Sequence, residues 1–212
     1  METYSVRLKI GKYIAHPFWP ETSQVVNVQK ISGLNRVRSE DKREAALTSY
    51  LKKEGMTTKQ YDALIAKSKR QWYRKNNDDD KSKIIIPMHQ IFGMLVHGSM
   101  SAPAGCRVNP DNVRSVLQVS DFETNKVKAD GVFSRYVLPT GPDGKPISNQ
   151  RRLTENEYVE EVEAVGRVTF DQNEVKAAAV KELFEHSLHK NGIGASRKMG
   201  YGRGVVKTFT KA

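Results

Sequence analysis

Residues 192–206, GIGASRKMGYGRGVV, decide how this chain is read. Five glycines, two arginines, one lysine and one tyrosine fill fifteen positions, and no acid is among them. The preceding stretch, NEVKAAAVKELFEHSLHKNG (173–192), places Ala177, Val180, Leu183, Phe184 and Leu188 on one helical face. Asp171 or Asn173 is its candidate cap, and His186, His189 and Lys190 occupy its last turns, where cations suit the helix dipole. The following stretch, RGVVKTF (203–209), is β-branched and alternating, the pattern of a strand. The glycine run therefore joins a helix to a strand. That context excludes a P-loop or a dinucleotide fingerprint, both of which follow a strand and open a helix. Glycine tolerates positive φ and lets backbone N–H groups approach a ligand, and successive outward N–H groups form an anion nest. Arg197, Lys198 and Arg203 add positive charge, and arginine can hold phosphate bidentately. Tyr201, flanked by Gly200 and Gly202, can either stack on a base or pack inward. Together these residues suit a sequence-independent grip on a phosphodiester backbone. A purely structural glycine turn is the alternative, and it leaves the accompanying cations unexplained.

Further from the loop, residues 4–14 alternate, with Tyr4, Val6, Leu8 and Ile10 on one face and Ser5, Arg7 and Lys9 on the other, as in a half-buried strand. HPFWPETSQ (16–24) breaks it with two prolines. Residues 39–76 read as a helical pair, the first closing at Gly55, the second starting at Thr57 or Thr58 and carrying Tyr61, Leu64, Ile65 and Trp72. Its other face, rich in lysine and arginine, is either a solvated surface or a basic arm along a phosphate backbone. Ile84–Ile86 form a short strand, and Pro87 suits the first position of a helix with Met88, Ile91, Phe92, Leu95 and Val96 on its core face. His89, Gln90, Gly93 and His97 lie on the opposite face, and Gly98 is a candidate stop. Gly93 in mid-helix implies a close approach by something else. SVLQVSDF (115–122) is a further strand, and residues 132–170 form a long hairpin whose SNQRRLTENE segment projects as a polar loop.

The order is β-α-β-β-α-β, an α+β, ferredoxin-like or RRM-type core. It carries a helical insertion at 39–83 and a projecting β-hairpin arm at 134–160, all within one domain spanning 1–212. The net charge is +11, and no Asp or Glu follows Glu185, so the basic excess coincides with the glycines. Nucleic acid is the partner class this favours over a membrane, because no convincing apolar basic amphipathic helix is present. With 38% apolar residues the chain can bury a core. No apolar run reaches the roughly 20 residues that span a bilayer, and METYSVRLKIGKY lacks the apolar core of a signal peptide. Cys106 is alone, without a disulfide partner or the spacing of a zinc site, and reads as a packing residue in a reducing cytoplasm. No metal or cofactor is implied.

GIGASRKMGYGR (192–203) resembles the glycine-rich loop of the RAMP superfamily, the repeat-associated RNA-binding proteins of CRISPR systems. That family's loop likewise sits between the last helix and last strand of a ferredoxin-like domain. IIIPMHQIFGML (84–95) resembles the segment in which a strand and proline lead into the family's first helix. The chain looks most like the backbone subunit of an effector complex. The resemblance implies a non-catalytic role: Gly192, Gly194, Ser196, Arg197, Lys198, Gly200, Tyr201, Gly202 and Arg203 grip the phosphates of a CRISPR RNA. His89 and Gln90 add contacts at the first helix, and Arg151 and Arg152 belong to the arm that meets the next base or protomer. The implied partners are CRISPR RNA, other copies of the chain along it, other effector-complex subunits and target nucleic acid. The alternative is a metal-independent endoribonuclease that processes precursor RNA, with His16, His89 or His97 as base. The insertion and the pair Val96-His97 depart from the backbone-subunit pattern, and Asp78–Asp80 lie in an acidic run onto which no catalysis is carried.

Overall fold

The computed structural model describes residues 1–15, 19–31, 39–77, 79–103, 108, 110–137 and 152–212. Two compact units are present, one formed by Met1–His16 with Trp72–Ala212, the other by Pro17–Gln71.

The larger unit is built on β1 (Glu2–Tyr13), which buries Tyr4, Val6, Leu8 and Ile10 as its alternation predicts. Along the chain follow β2 (Ile85–Ile86), α4 (Met88–Ser99), α5 (Pro110–Val116), β3 (Gln118–Val119), β4 (Phe122–Thr124), β5 (Gly131–Val137), β6 (Arg152–Phe170), α6 (Ala177–Lys190) and β7 (Gly204–Lys211). The sheet order is β2-β4-β6-β1-β7, and its pairings are antiparallel. Counting β1, β4, β6 and β7 as the four core strands, the third and fourth flank the first and the second lies outside the third, which is the ferredoxin-like arrangement. The chain is thus an α+β protein with a helix-covered antiparallel sheet. One sheet face, with Val6, Leu8, Phe122, Ala164 and Phe170, packs with Ile91, Leu95, Leu183 and Phe184 of the two long helices. Hydrophobic burial of this face is the main favourable term.

Several details differ from the periodicity reading. The core stripe of α4 is rotated: Met94 is buried, whereas Met88 is 57% exposed. Gly93 has open space around it, and the close approach falls instead at Gly98, where a Cβ would lie 1.8 Å from Ser187 Oγ of α6. Residues 115–122 are not one strand, because α5 runs to Val116 and two short strands follow. The polar segment ending in RLTENE is strand rather than loop from Arg152 onward, paired with β5 from Val137↔Arg152 to Gly131↔Tyr158. Trp72 and Tyr73 leave the helix and enter the larger unit's buried set, with Ile85 N–H donating to Tyr73 O at 2.9 Å.

The parity of β1 changes after Ile10. Its ladder with β6 skips Gly11, opposite Glu161, which has a positive φ of 46°. The register is the same on either side of this gap, and the buried positions of β1 change phase across it. Tyr13, three residues beyond Ile10, is fully buried.

The smaller unit packs α1 (Pro20–Ile31), α2 (Glu40–Lys53) and α3 (Thr58–Ser68) around Val28, Leu51 and Tyr61. Helix α1 is absent from the sequence reading, which treated its first residues as a break, although Pro20 fits a first helical position. Helix α3 begins with a complete capping box between Thr57 and Gln60. No helix among the described residues is long and apolar enough to cross a membrane.

Candidate nucleic-acid interface

The glycine loop folds back onto the end of β1. Gly192, Gly194, Gly200 and Gly202 all have positive φ, from 66° to 88°, and Ser196 joins them at 56°. Two of the glycines are required by packing. A Cβ on Gly194 would lie 2.3 Å from Ile14 O and 2.7 Å from the Tyr13 ring, and one on Gly202 would lie 1.8 Å from Ile193 O. Gly200, at the tip, has nothing within 4 Å. The amides follow the same division. Gly202 N–H donates to Lys12 O at 2.6 Å, Ala195 N–H to Ile14 O at 2.9 Å and Ile193 N–H to Gly202 O at 3.0 Å. Met199 and Gly200 donate to Ser196 O and Arg197 O, closing a short 3₁₀ turn over Arg197–Met199. These five amides are therefore bound inside the protein rather than held open to an anion.

The cations stand differently. Arg197, Lys198 and Arg203 are exposed, and among the described residues none of them pairs with a carboxylate. Nearby Lys12 is paired instead, at 2.7 Å from Glu160, while its ammonium lies 5.0 Å from the centre of the Tyr158 ring. That pairing and hydrogen bond hold the Lys12 ammonium above its ordinary pKa.

Tyr13 connects the loop to α4. Its ring fills the space left by the missing Cβ of Gly194, and its hydroxyl donates to Gln90 Oε1 at 2.8 Å. Burial pushes the phenol above its usual range, so it remains a donor. Behind it, Trp72 lies 6.0 Å away, centroid to centroid, and donates its indole N–H to Glu157 of β6. His89 is exposed, with its ring edge-on to Tyr73 at 5.5 Å. The start of α4 is less electropositive than a bare helix end, because Met88 N–H donates to Asp121 Oδ1 at 2.7 Å. An apolar cavity of about 370 Å³ opens there, lined by Met88, His89, Phe92, Leu117, Gln118 and Val119.

The structure thus brings the glycine loop and Gln90 together through Tyr13. His89 is the residue before Gln90, in the same first turn of α4. Arg151 and His16 lie outside the described residues, and Arg152 begins β6 opposite Val137. The sequence reading missed Tyr13, Trp72, Phe133, Arg135 and Tyr158, all of which adjoin the loop or its support. Phe133 lies 5.2 Å from the Tyr201 ring and Tyr158 lies 6.5 Å from it. Arg135 Nη1 approaches Met199 Sδ at 3.9 Å. Alternation across the paired strands was the available signal for these residues, since Phe133 and Arg135 share a face of β5.

No family model matches the sequence, and no curated protein matches it. Solved structures do match in fold. A chain of the Type III-B Cmr-beta, solved by cryo-EM bound to cognate target RNA, aligns over 99% of this chain at a TM-score of 0.50 and 11% identity. The likeness is one of fold. It spans 61% of the length of that Cmr-beta chain. Cmr6 from Pyrococcus furiosus aligns over 97% of this chain and 98% of its own, at 12% identity and a TM-score of 0.36. The glycine loop lies between the last helix, α6, and the last strand, β7, as the resemblance drawn from it implies.

Proposed function

We propose that this chain is a RAMP-fold, non-catalytic, guide-RNA-binding subunit of a CRISPR effector ribonucleoprotein. The observation that carries the reading is the glycine loop, an internally hydrogen-bonded turn presenting Arg197, Lys198 and Arg203 without carboxylate partners among the described residues. Because five loop amides are bound internally, side-chain cations supply the phosphate contacts and the glycines set where those cations stand. Gln90, fixed by Tyr13, and His89 extend the contact surface onto α4. Arg151 and Arg152 place further charge on the hairpin arm. Pro17–Gln71 is a helical decoration of one RAMP-like domain, and copies of the chain assemble along CRISPR RNA with other effector subunits and target nucleic acid, in the cytoplasm. The match to a Cmr-beta chain solved with target RNA supports this choice among functions of basic α+β domains.

The reading assigns no bond cleavage. His89 and His97 stand eight residues apart on one helix, about 12 Å along its axis, too far to serve a single phosphodiester together.

The test is anisotropy titration of single-stranded RNA across a salt series. Each phosphate contact on a single strand contributes about 0.7 to the log–log salt slope. The Arg197→Ala/Arg203→Ala variant is expected to lose about 1.4 of that slope and to bind weakly whatever the sequence. Parent-like affinity and slope in this variant would remove the proposal. Light scattering on RNAs of increasing length tests assembly, where stepwise added copies are expected and one copy per RNA at every length contradicts it.

A further inference from the structure

We infer that the β5–β6 hairpin and the glycine loop together form a seat for one nucleotide of single-stranded RNA, with Arg135 taking its phosphate and the Phe133–Tyr158–Tyr201 cluster taking its base. This rests on the RNA-binding reading above and deepens it.

The seat is built from one face of the hairpin. Gly131, Phe133 and Arg135 alternate onto that face from β5, and Gly131 pairs with Tyr158 of β6. A Cβ at Gly131 would lie 2.6 Å from Tyr158 Oη, so the glycine is what allows the tyrosine ring to lie across the strand. Tyr201 comes in from the loop, tilted 44° to Phe133 and edge-on to Tyr158. None of the three rings is fully buried. An ordinary core would bury such a trio, and an ordinary surface would not collect it. Half-exposed aromatics beside cations are the usual means of binding single strands without reading sequence, because every base has a π face.

Arg135 supplies the second half of the seat. Its Nε is buried and has no hydrogen-bond partner among the described residues, and its Nη1 meets only the thioether of Met199, a weak acceptor. A part-buried guanidinium left without an anion is costly unless a ligand provides one. In and beside the loop, Asn191 Nδ2 and Ser196 Oγ are likewise buried and, among the described residues, without a hydrogen-bond partner. Phosphate oxygens are the acceptors that this geometry lacks. Phe133, two residues from Arg135 on the same face, is at about the spacing of a nucleotide's base from its phosphate, given roughly 7 Å for two strand residues.

The test uses a short oligouridylate carrying a single 2-aminopurine, with the fluorescent base moved stepwise along the strand. In the parent, fluorescence should fall on binding at the position that enters the seat. Tyr201→Leu, which keeps apolar volume but removes the ring, should abolish that quench and weaken binding about tenfold at an unchanged salt slope. Tyr201→Phe should retain both. If Tyr201→Leu does not fold, Phe133→Leu is read in its place. Arg135→Gln should lower the salt slope by about 0.7. Parent-like quenching and affinity in Tyr201→Leu, or an unchanged slope in Arg135→Gln, would overturn the seat. Where Arg197→Ala/Arg203→Ala still weakens binding, only the seat has failed; where the parent does not bind RNA, both readings fail.

Discussion

Replacing Gly194 by alanine tests whether the glycine loop is held by β1 or merely flexible. Two penalties act together. An L-residue at φ 79° is in the left-handed region, which costs about 1 kcal/mol. The new Cβ also lies 2.3 Å from Ile14 O and 2.7 Å from the buried Tyr13 ring, and backbone must move to relieve the first contact. Overpacking of this kind costs about 2 kcal/mol, giving about 3 kcal/mol in all. Gly200→Ala is the matched control. It has φ 88° but empty space around it, so only the conformational cost of about 1 kcal/mol applies. Urea unfolding followed by circular dichroism resolves the two. With a slope of about 2 kcal/mol per molar, the midpoint should drop by about 1.5 M for Gly194→Ala and about 0.5 M for Gly200→Ala. Equal shifts in the two variants would refute the argument, since the loop would then owe nothing to its packing on β1.

Tyr13→Phe keeps the ring against Gly194 but removes the hydroxyl that donates to Gln90. It should cost about 1 kcal/mol in thermal or urea unfolding, and leave the RNA salt slope intact; a loss of slope would show that Gln90 placement matters to phosphate contact. Glu123 gives a pH signature. Hydrogen bonds from Lys75 and Lys83 lower its pKa from 4.5 to about 2. Because the folded value is depressed, its stabilising contribution is present above about pH 4.5 and is lost as pH falls through about 2. Glu123→Gln should therefore lower the melting temperature at neutral pH, and the gap to the parent should close toward pH 2; a gap independent of pH would contradict the assignment.

The elements that repeat locally were the legible ones. Alternation places Tyr4, Val6, Leu8 and Ile10, and helical spacing places Val180, Leu183, Phe184 and Leu188, in the core where they are found. What depends on distant partners was not legible. The gap in the β1–β6 ladder at Gly11 and Glu161 is a property of the two paired strands, and Tyr13 turns inward just beyond it. The hairpin segment after Arg152 is polar on both faces and becomes a strand through its pairing with β5. Trp72 keeps helical spacing from Tyr61 and Ile65, yet the helix ends at Ser68 and the indole enters the core beside Tyr13. Glycine content announced a special loop but not which way its amides face. That direction is set by the carbonyls of Lys12 and Ile14, which accept from Gly202 and Ala195 across more than 180 residues of chain. Arg135 was not legible because an arginine in a strand carries no signal of its own; what marks it is a buried Nε with no acceptor among the described residues.

The most direct measurement is photocrosslinking of the intact chain to single-stranded RNA containing 4-thiouridine, with the attached peptides identified by mass spectrometry. Crosslinks should concentrate in residues 191–203 and 131–137, the glycine loop and the facing strand of the hairpin. Crosslinks confined to α1, α2 and α3, or to the open sheet face carrying Arg7, Glu163 and Arg167, would contradict the account.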